Sequence, residues 1–450
     1  MVKKYFGTDG IRGTANHFPM TPEIALKVGM VVGKKFTAGD YRHRVVIGKD
    51  TRLSGYVIEP ALTSGFAAAG MDVFLVGPVP TPAVSMLTKS LRADIGVMIS
   101  ASHNPYHDNG IKIFDKDGHK LDDAIEKEIE SMIDGKDIDQ CLAAPDKLGK
   151  VKRLENARGR YIEFVKNSFP KNQTLNNLKV VIDAANGAAY HMAPIILWEL
   201  GAEVISIGIE PNGFNINADC GSTKPEKLSK AVVKNKADIG IALDGDADRL
   251  LVVDEKGKVV HGDKVIGLIA KNLHKRNKLR NKAIVVTQMS NLGLENYIKN
   301  DLGLDLIRTA VGDRYVLEAM RKGDYNFGGE QSGHLVLSDY STTGDGLIAA
   351  LQILSIICDE NKPVSKIANI FELKPQILKN INYKRGEKNP LENSQVQKFI
   401  EQEQKALGNR GRVFVRKSGT ENLIRIMVEG DNNKLINEIA DRIADKILTK

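Results

Sequence analysis

Short apolar runs alternate along this chain with polar loops and with stretches of helical spacing. Arg44 to Gly48 (RVVIG), Met71 to Val76, Ala93 to Ile99 and Gly110 to Phe114 read as strands, and about Val57 to Ala69 as a helix. Pro78, Pro80 and Pro82 break the chain before another short helix. The run at Ala93 to Ile99 is continuously apolar, as in strands of a parallel sheet buried on both faces. Strand–helix–strand alternation of this kind predicts α/β units with mostly parallel pairing.

The pattern then repeats. Ala93-Asp94-Ile95-Gly96 recurs as Ala237-Asp238-Ile239-Gly240. Each copy leads through an apolar strand to a polar loop and a second apolar strand (IKIF or LLVV), and each closes at a turn, Asp115 to Gly118 or Asp254 to Gly257. Upstream of the copies lie matching strands, RVVIG at 44–48 and KVVID at 179–183. A looser third copy starts at Ala283 to Val286 and reaches a loop at Gly328 to His334. After Pro375 the order becomes strand, helix, strand, strand, helix. The expected architecture is therefore three related α/β domains with mixed sheets, over 1–153, 154–254 and 255–370, plus a C-terminal α+β domain over 371–450.

Composition narrows the classes. Hydrophobic residues make up 42% of the 450 and charged residues 27%, ordinary values for a globular protein. The net charge of +8 favours anionic substrates only mildly. The dense basic run Lys271 to Lys282 has no aromatic residue for stacking on bases, so it reads as a solvated helix face and no nucleic-acid partner is expected. Three scattered cysteines without a CxxC pair suggest neither a disulfide framework nor a zinc site. With no signal core and no run of membrane-spanning length, a cytoplasmic protein without a membrane partner is expected.

Candidate chemistry concentrates in four loops. Ser102, in Ser100-Ala101-Ser102-His103-Asn104-Pro105, follows the Ala93 to Ile99 strand at its carboxyl end, where open α/β sheets place ligands. Pro105 keeps Asn104 out of helical angles, His103 is adjacent, and Lys112 lies on the next extended segment, which together outline an activated nucleophile as well as a simple polar turn. Ser100 is expected to tolerate alanine far better than Ser102. The second copy's loop, Asp244-Gly245-Asp246-Ala247-Asp248-Arg249, sets three carboxylates at alternate positions, able to converge on a hard cation such as Mg²⁺. An EF-hand reading fails because Arg249 stands where glycine is needed and the flanks are strands. Three carboxylates leave room for a phosphoryl oxygen on Ser102. The Gly328 to His334 loop mixes carboxylate, amide, hydroxyl and imidazole on a glycine frame, which suits a hydroxyl-rich ligand but equally a turn. Ser418, Gly419 and Thr420, flanked by Arg416 and Arg425, can present amides, hydroxyls and guanidinium forks to an anion.

FGTDGIRG, ISASHNP, DGDADR, GEQSGH and RKSGTE, in this order and at these separations, resemble the α-D-phosphohexomutase superfamily over nearly the whole chain. DGDADR, GEQSGH and STTGDGLIAALQ at 341–352 most resemble its aminosugar branch. The resemblance implies four domains around a central cleft and a phosphoserine at Ser102, whose phosphate joins Asp244, Asp246 and Asp248 on Mg²⁺. It implies Glu330 and Ser332 against sugar hydroxyls, and Arg416, Ser418, Gly419, Thr420 and Arg425 on the phosphate not being transferred. Arg12, His103, Lys112 and Arg249 match active-site positions. Asn422 departs from the proline common in that last loop, which bears on rigidity more than on charge.

The implied activity interconverts glucosamine 6-phosphate and glucosamine 1-phosphate through a bisphosphorylated sugar, on the route to UDP-N-acetylglucosamine and the cell wall. The nearest alternative is a phosphoglucomutase or phosphomannomutase with the same machinery. A serine hydrolase is disfavoured because no Gly-x-Ser-x-Gly elbow surrounds Ser102 and the acidic triplet would be idle. A silent sugar-phosphate-binding protein would not need both motifs. A hexosamine phosphate is the expected partner, and a homodimer is left open. Gln331, between Glu330 and Ser332, is singled out as the aminosugar discriminator.

Overall fold

The structure is a computed structural model that describes residues 4–7, 9–135, 137–383, 389–417 and 423–448. Its first sheet contains β1 (Ile11–Thr14), β2 (Arg44–Lys49), β3 (Asp72–Pro78), β4 (Ile95–Ile99), β5 (Asp108–Asp115) and β6 (Val151–Arg153), in the order β1-β5-β4-β2-β3-β6. The second contains β7 (Lys179–Asp183), β8 (Glu203–Ile207), β9 (Ile239–Leu243), β10 (Leu250–Asp254) and β11 (Val259–Val260), ordered β11-β10-β9-β7-β8. The third is β13-β12-β14-β15, from β12 (Ala283–Thr287), β13 (Asp305–Thr309), β14 (Phe327–Gly329) and β15 (Leu335–Leu337).

One motif underlies all three. A central strand (β2, β7, β12) pairs in parallel with the next strand on one side and the one after on the other, and that third strand turns back into an antiparallel fourth. The loop after the third strand therefore leaves each sheet at the same corner, and these three corners carry Ser102, the aspartate triplet and Glu330. The triple repeat expected from the sequence is present, with mixed sheets. The second sheet runs on past residue 254, because β11 still pairs with β10. The C-terminal unit is a three-stranded antiparallel sheet, β16 (Gln376–Asn382), β18 (Leu423–Gly430) and β17 (Gly411–Lys417), with helices Ser394–Leu407 and Asn433–Leu448 packed on it.

A single apolar core joins the first three units. It includes Val84 and Met98 from the first, Val180 and Ile241 from the second, and Ile284 and Phe327 from the third, around the buried helix Gly346–Glu360. Asp345 caps that helix by accepting the amides of Leu347 and Ile348, both at 3.0 Å, and takes a third bond from the Tyr161 hydroxyl at 2.9 Å. The basic run is not one helix face. Its helix, Gly262–Lys275, stops inside it, the chain turns at Asn277 (φ 54°), and Leu273 is buried. Among the described residues no helix is long and apolar enough to cross a membrane.

Candidate active site

All five residues of β4 are buried, and the chain changes character where the strand ends. Ser102 is 1% exposed and sits at φ 53°, a left-handed conformation that side chains with a Cβ adopt at a cost. Its amide donates to Ser100 Oγ at 2.9 Å, and Ser100 Oγ donates in turn to Asp50 Oδ2 at 2.6 Å. Ser100 is thus a buried link between Asp50 and the Ser102 amide. The loop is also held by Arg52 and Asn217, which donate to the carbonyls of Ser102 and Asn104.

The Ser102 hydroxyl donates to Asp244 Oδ2 at 2.5 Å, so the first two corners meet face to face. A Cβ on Gly245 would lie 2.6 Å from the Ser102 carbonyl oxygen, and only glycine permits this approach. Asp244, Asp246 and Asp248 are all buried and offer carboxylate oxygens within 4.8 Å of one another. Asp246 Oδ2 accepts from Lys112 Nζ at 2.8 Å and Thr81 Oγ1 at 2.5 Å, and Asp248 Oδ2 from Lys112 at 3.4 Å. Lys112 therefore neutralises part of the cluster. Asp246 Oδ1 is buried without a hydrogen-bond partner among the described residues, and Asp248 Oδ1 has none nearer than His334 Nδ1 at 3.6 Å. Burial, then the charges of Asp248 and Asp246, push the Asp244 carboxyl well above its ordinary range. A raised carboxyl, buried oxygens without a hydrogen bond and all-oxygen donors fit a hard divalent cation.

Cations surround this pair of loops. Burial would lower the Lys112 ammonium, yet Asp246, Asp9 and Asp248 outweigh it and hold the group charged. Arg12, on β1, is ion-paired with Asp9, and Arg249 donates its amide to Asp244 Oδ1 at 3.2 Å. Burial, helped by Arg249 and Arg12, pulls the His103 imidazole down to about 4. His103 is therefore neutral near pH 7, with Nδ1 3.4 Å from Ser102 Oγ. Sequence reasoning missed a second ring of charge. Lys120 bridges Asp9 and Asp313, while His334 lies 3.7 Å from Asp313 and 3.6 Å from Asp248. Asp9 stood inside the FGTDGIRG motif and His334 inside GEQSGH, so motif membership was the available signal. Lys120 and Asp313 had none.

The third corner closes on the second through Leu250 N–H donating to the Gly333 carbonyl at 3.0 Å and a bridge between Arg249 and His334. Glu330 Oε1 accepts the Gly312 amide at 3.1 Å, and exposed Ser332 lies 3.5 Å from Glu330 Oε2. Arg416 and Arg425 are register partners on β17 and β18 and share one face of the fourth sheet. Burial and then Arg425 lower the Arg416 guanidinium, and Glu330 partly restores it, so the fourth sheet faces the third corner within electrostatic reach. Ser418, Gly419 and Thr420, with Asn422, lie outside the described residues.

The fold agrees with the comparisons with known proteins. Residues 3–139, 159–257, 261–373 and 378–446 match the families described as Phosphoglucomutase/phosphomannomutase alpha/beta/alpha domain I, domain II, domain III and C-terminal domain, in that order. The phosphoglucosamine mutase of Parvibaculum lavamentivorans is 61% identical over 99% of this chain and 98% of its own length. The chain belongs to the phosphoglucosamine mutases. The Methylobacterium radiotolerans member is 59% identical, covering 99% of both chains. Among solved structures, a phosphoglucomutase/phosphomannomutase family protein from Burkholderia thailandensis superposes with a TM-score of 0.83 at 23% identity over 100% of this chain and 99% of that one. The Aspergillus fumigatus N-acetylphosphoglucosamine mutase, solved with GlcNAc-6P and magnesium, gives 0.69 at 17% identity over 98% and 95%. Both likenesses concern the fold. Phosphoglucosamine mutases are isomerase-class enzymes, and this chain is one of that family.

Proposed function

We propose that this chain interconverts glucosamine 6-phosphate and glucosamine 1-phosphate through a phosphoryl group carried on Ser102. The observation that supports it most is the Ser102 hydroxyl, 1% exposed, meeting Asp244 at 2.5 Å beside buried oxygens of Asp246 and Asp248 that make no hydrogen bond among the described residues. Phospho-Ser102 gives its phosphoryl group to the free O1 or O6 of the sugar. The P–Oγ bond breaks as the new P–O bond forms, and the sugar hydroxyl proton passes to a neighbouring base. His103, whose Nδ1 lies 3.4 Å from Ser102 Oγ, is the side chain placed to take it. Asp244, Asp246, Asp248 and an oxygen on Ser102 would hold Mg²⁺, which would neutralise charge on the transferred group. Lys112, Arg12 and Arg249 add fixed positive charge at the same place. The resulting sugar bisphosphate reorients in the cleft and returns its other phosphate to Ser102.

Glu330 and Ser332 face the sugar hydroxyls, and Arg416 and Arg425 with Ser418, Gly419 and Thr420 grip the phosphate not in transfer. Gln331 keeps a buried Oε1 without a hydrogen-bond partner among the described residues, an acceptor suited to the substrate's amino group. The free thiols Cys141, Cys220 and Cys358 suit a reducing cytoplasm. Competition kinetics test the substrate. The specificity constant for glucosamine 1-phosphate should exceed that for glucose 1-phosphate by about tenfold or more, roughly 1.4 kcal/mol in barrier. Equal constants, or a preference for glucose or mannose, would overturn the aminosugar reading and leave the mutase chemistry standing.

A further inference from the structure

We propose that Arg52 of the first domain and Asn217 of the second form a two-domain clamp that fixes the Ser102 peptide and so sets the rate of phosphoryl transfer. The inference rests on the mutase reading above.

The Arg52 side chain is 0% exposed, and its donors are spent on the phosphoserine loop. Nη2 donates to the carbonyls of Ser102 and Asn104, both at 2.9 Å, and Nη1 to those of Asp108 at 3.0 Å and Pro105. Nε is held by Asp50 Oδ2 at 2.8 Å, the same oxygen that accepts from Ser100 Oγ. From the opposite side Asn217 Nδ2 donates to the Ser102 carbonyl at 2.9 Å and the Asn104 carbonyl at 3.1 Å. Each of these two carbonyls thus accepts one bond from each domain, which uses both of its lone pairs.

The effect on Ser102 follows from backbone geometry. The peptide before it is fixed by Ser100 and Asp50, and the peptide after it by Arg52 and Asn217. With both planes held, φ stays at 53° and the Cα–Cβ bond points at Asp244. Asn217 is itself anchored, its amide donating to the Ala185 carbonyl at 2.9 Å, at φ 57°, where asparagine is the best tolerated of the larger residues. A Cβ on Gly245 would lie 2.8 Å from Asn217 Nδ2, so the aspartate loop packs against the clamp. One side chain therefore sets the spacing between the phosphoryl donor and the carboxylates that face it. Both clamp residues donate to the backbone around Ser102 and Asn104, so the clamp acts on transfer and not on substrate capture.

Two variants test it. Asn217→Gly deletes both donors and keeps the left-handed backbone; Asn217→Asp keeps the shape but sets carboxylate oxygens against two carbonyl oxygens. For glucosamine 1-phosphate, kcat should fall by about tenfold in the first and about a hundredfold in the second, with KM within about threefold of wild type. Hydrogen exchange in a peptide spanning Ser100 to His107 should quicken in Asn217→Gly, a readout that needs no sugar. Unchanged kcat and unchanged exchange in Asn217→Gly would overturn the clamp, as would a loss of kcat matched only by a loss of folded protein in thermal melts. A wild-type chain that turns over no sugar phosphate would instead overturn the mutase reading and leave exchange to judge the clamp. Asn217→Gly suffices if the Asp variant does not fold.

Discussion

The first and second domains bring the same hairpin to the site and load it differently. In each, a fully buried third strand, β4 or β9, returns as an antiparallel fourth, and the intervening loop contains one residue in the left-handed region, Ser102 at φ 53° or Ala247 at φ 58°. In the first domain that residue bears the reactive hydroxyl. In the second it is a spacer, and the chemistry lies in the carboxylates around it. The central strands differ to match. β2 leads into Asp50, which holds the Arg52 guanidinium that grips the neighbouring loop. β7 ends in Asp183, which accepts the amides of Ala185 at 2.9 Å and Gly221 at 2.8 Å. A loop that must present one hydroxyl in a costly conformation is held by side chains. The carbonyls of the aspartate loop are held by backbone amides, Ala188 N–H on Gly245 at 2.7 Å, Thr81 N–H on Asp246 at 3.0 Å and Gly346 N–H on Ala247 at 3.0 Å. In that loop the Thr81 and Lys112 side chains reach only the carboxylates of Asp246 and Asp248.

The hydroxyl is the sharpest point of contrast, so its removal should have the largest effect. Ser102→Ala should abolish mutase turnover, by about four orders of magnitude or more. Folding should be unaffected, since the hydroxyl meets only Asp244 and His103. Intact mass should find one phosphate on the wild type and none on the variant. Full activity in the alanine variant would end the phosphoserine mechanism.

On the other loop, Asp246→Asn should lower kcat by about two orders of magnitude, roughly 2.7 kcal/mol. The Mg²⁺ concentration for half-maximal rate should rise at the same time. Lys112 keeps Asp9 at 3.3 Å and Asp248 at 3.4 Å, so the fold should survive. EDTA should silence the wild type; activity that persists in EDTA would show that the triplet is not a metal site.

The contrast was half legible in the sequence. Both hairpins could be read because their strands are continuously apolar and the chemistry sits in contiguous motifs, Ser-His-Asn-Pro and Asp-Gly-Asp-Ala-Asp. What holds those loops could not. Arg52 reaches a carbonyl 50 residues away and Asn217 one 115 residues away, and contacts from side chain to backbone leave no pattern in composition or period. Lys112 looked like a generic nearby cation, and only the fold shows it between Asp246 and Asp248. The Lys271 to Lys282 run misled because charge density alone does not reveal the helix end at Lys275.

The last comparison is one of stability and sets the two anchoring aspartates against each other. Asp50→Asn removes the countercharge of a fully buried guanidinium and should cost about 3 kcal/mol or more of stability. Asp183→Asn removes no ion pair. Its new amide nitrogen, however, faces one of two backbone donors, and one buried bond is lost, at about 1–3 kcal/mol. The pH dependence of the second cost has a definite sign. Burial raises the Asp183 carboxyl above its ordinary 3.8 despite the two amides. The folded state then binds a proton more tightly than the unfolded chain, and wild-type stability falls as pH rises from about that value through the raised one. Asparagine carries no such penalty. The gap between wild type and Asp183→Asn should therefore be widest in mild acid and narrow towards neutral pH. Denaturant melts of both proteins at several pH values across that window would show it. A gap that widens with rising pH would mean that Asp183 is stabilised as a carboxylate, and that the second loop leans on charge as the first one does.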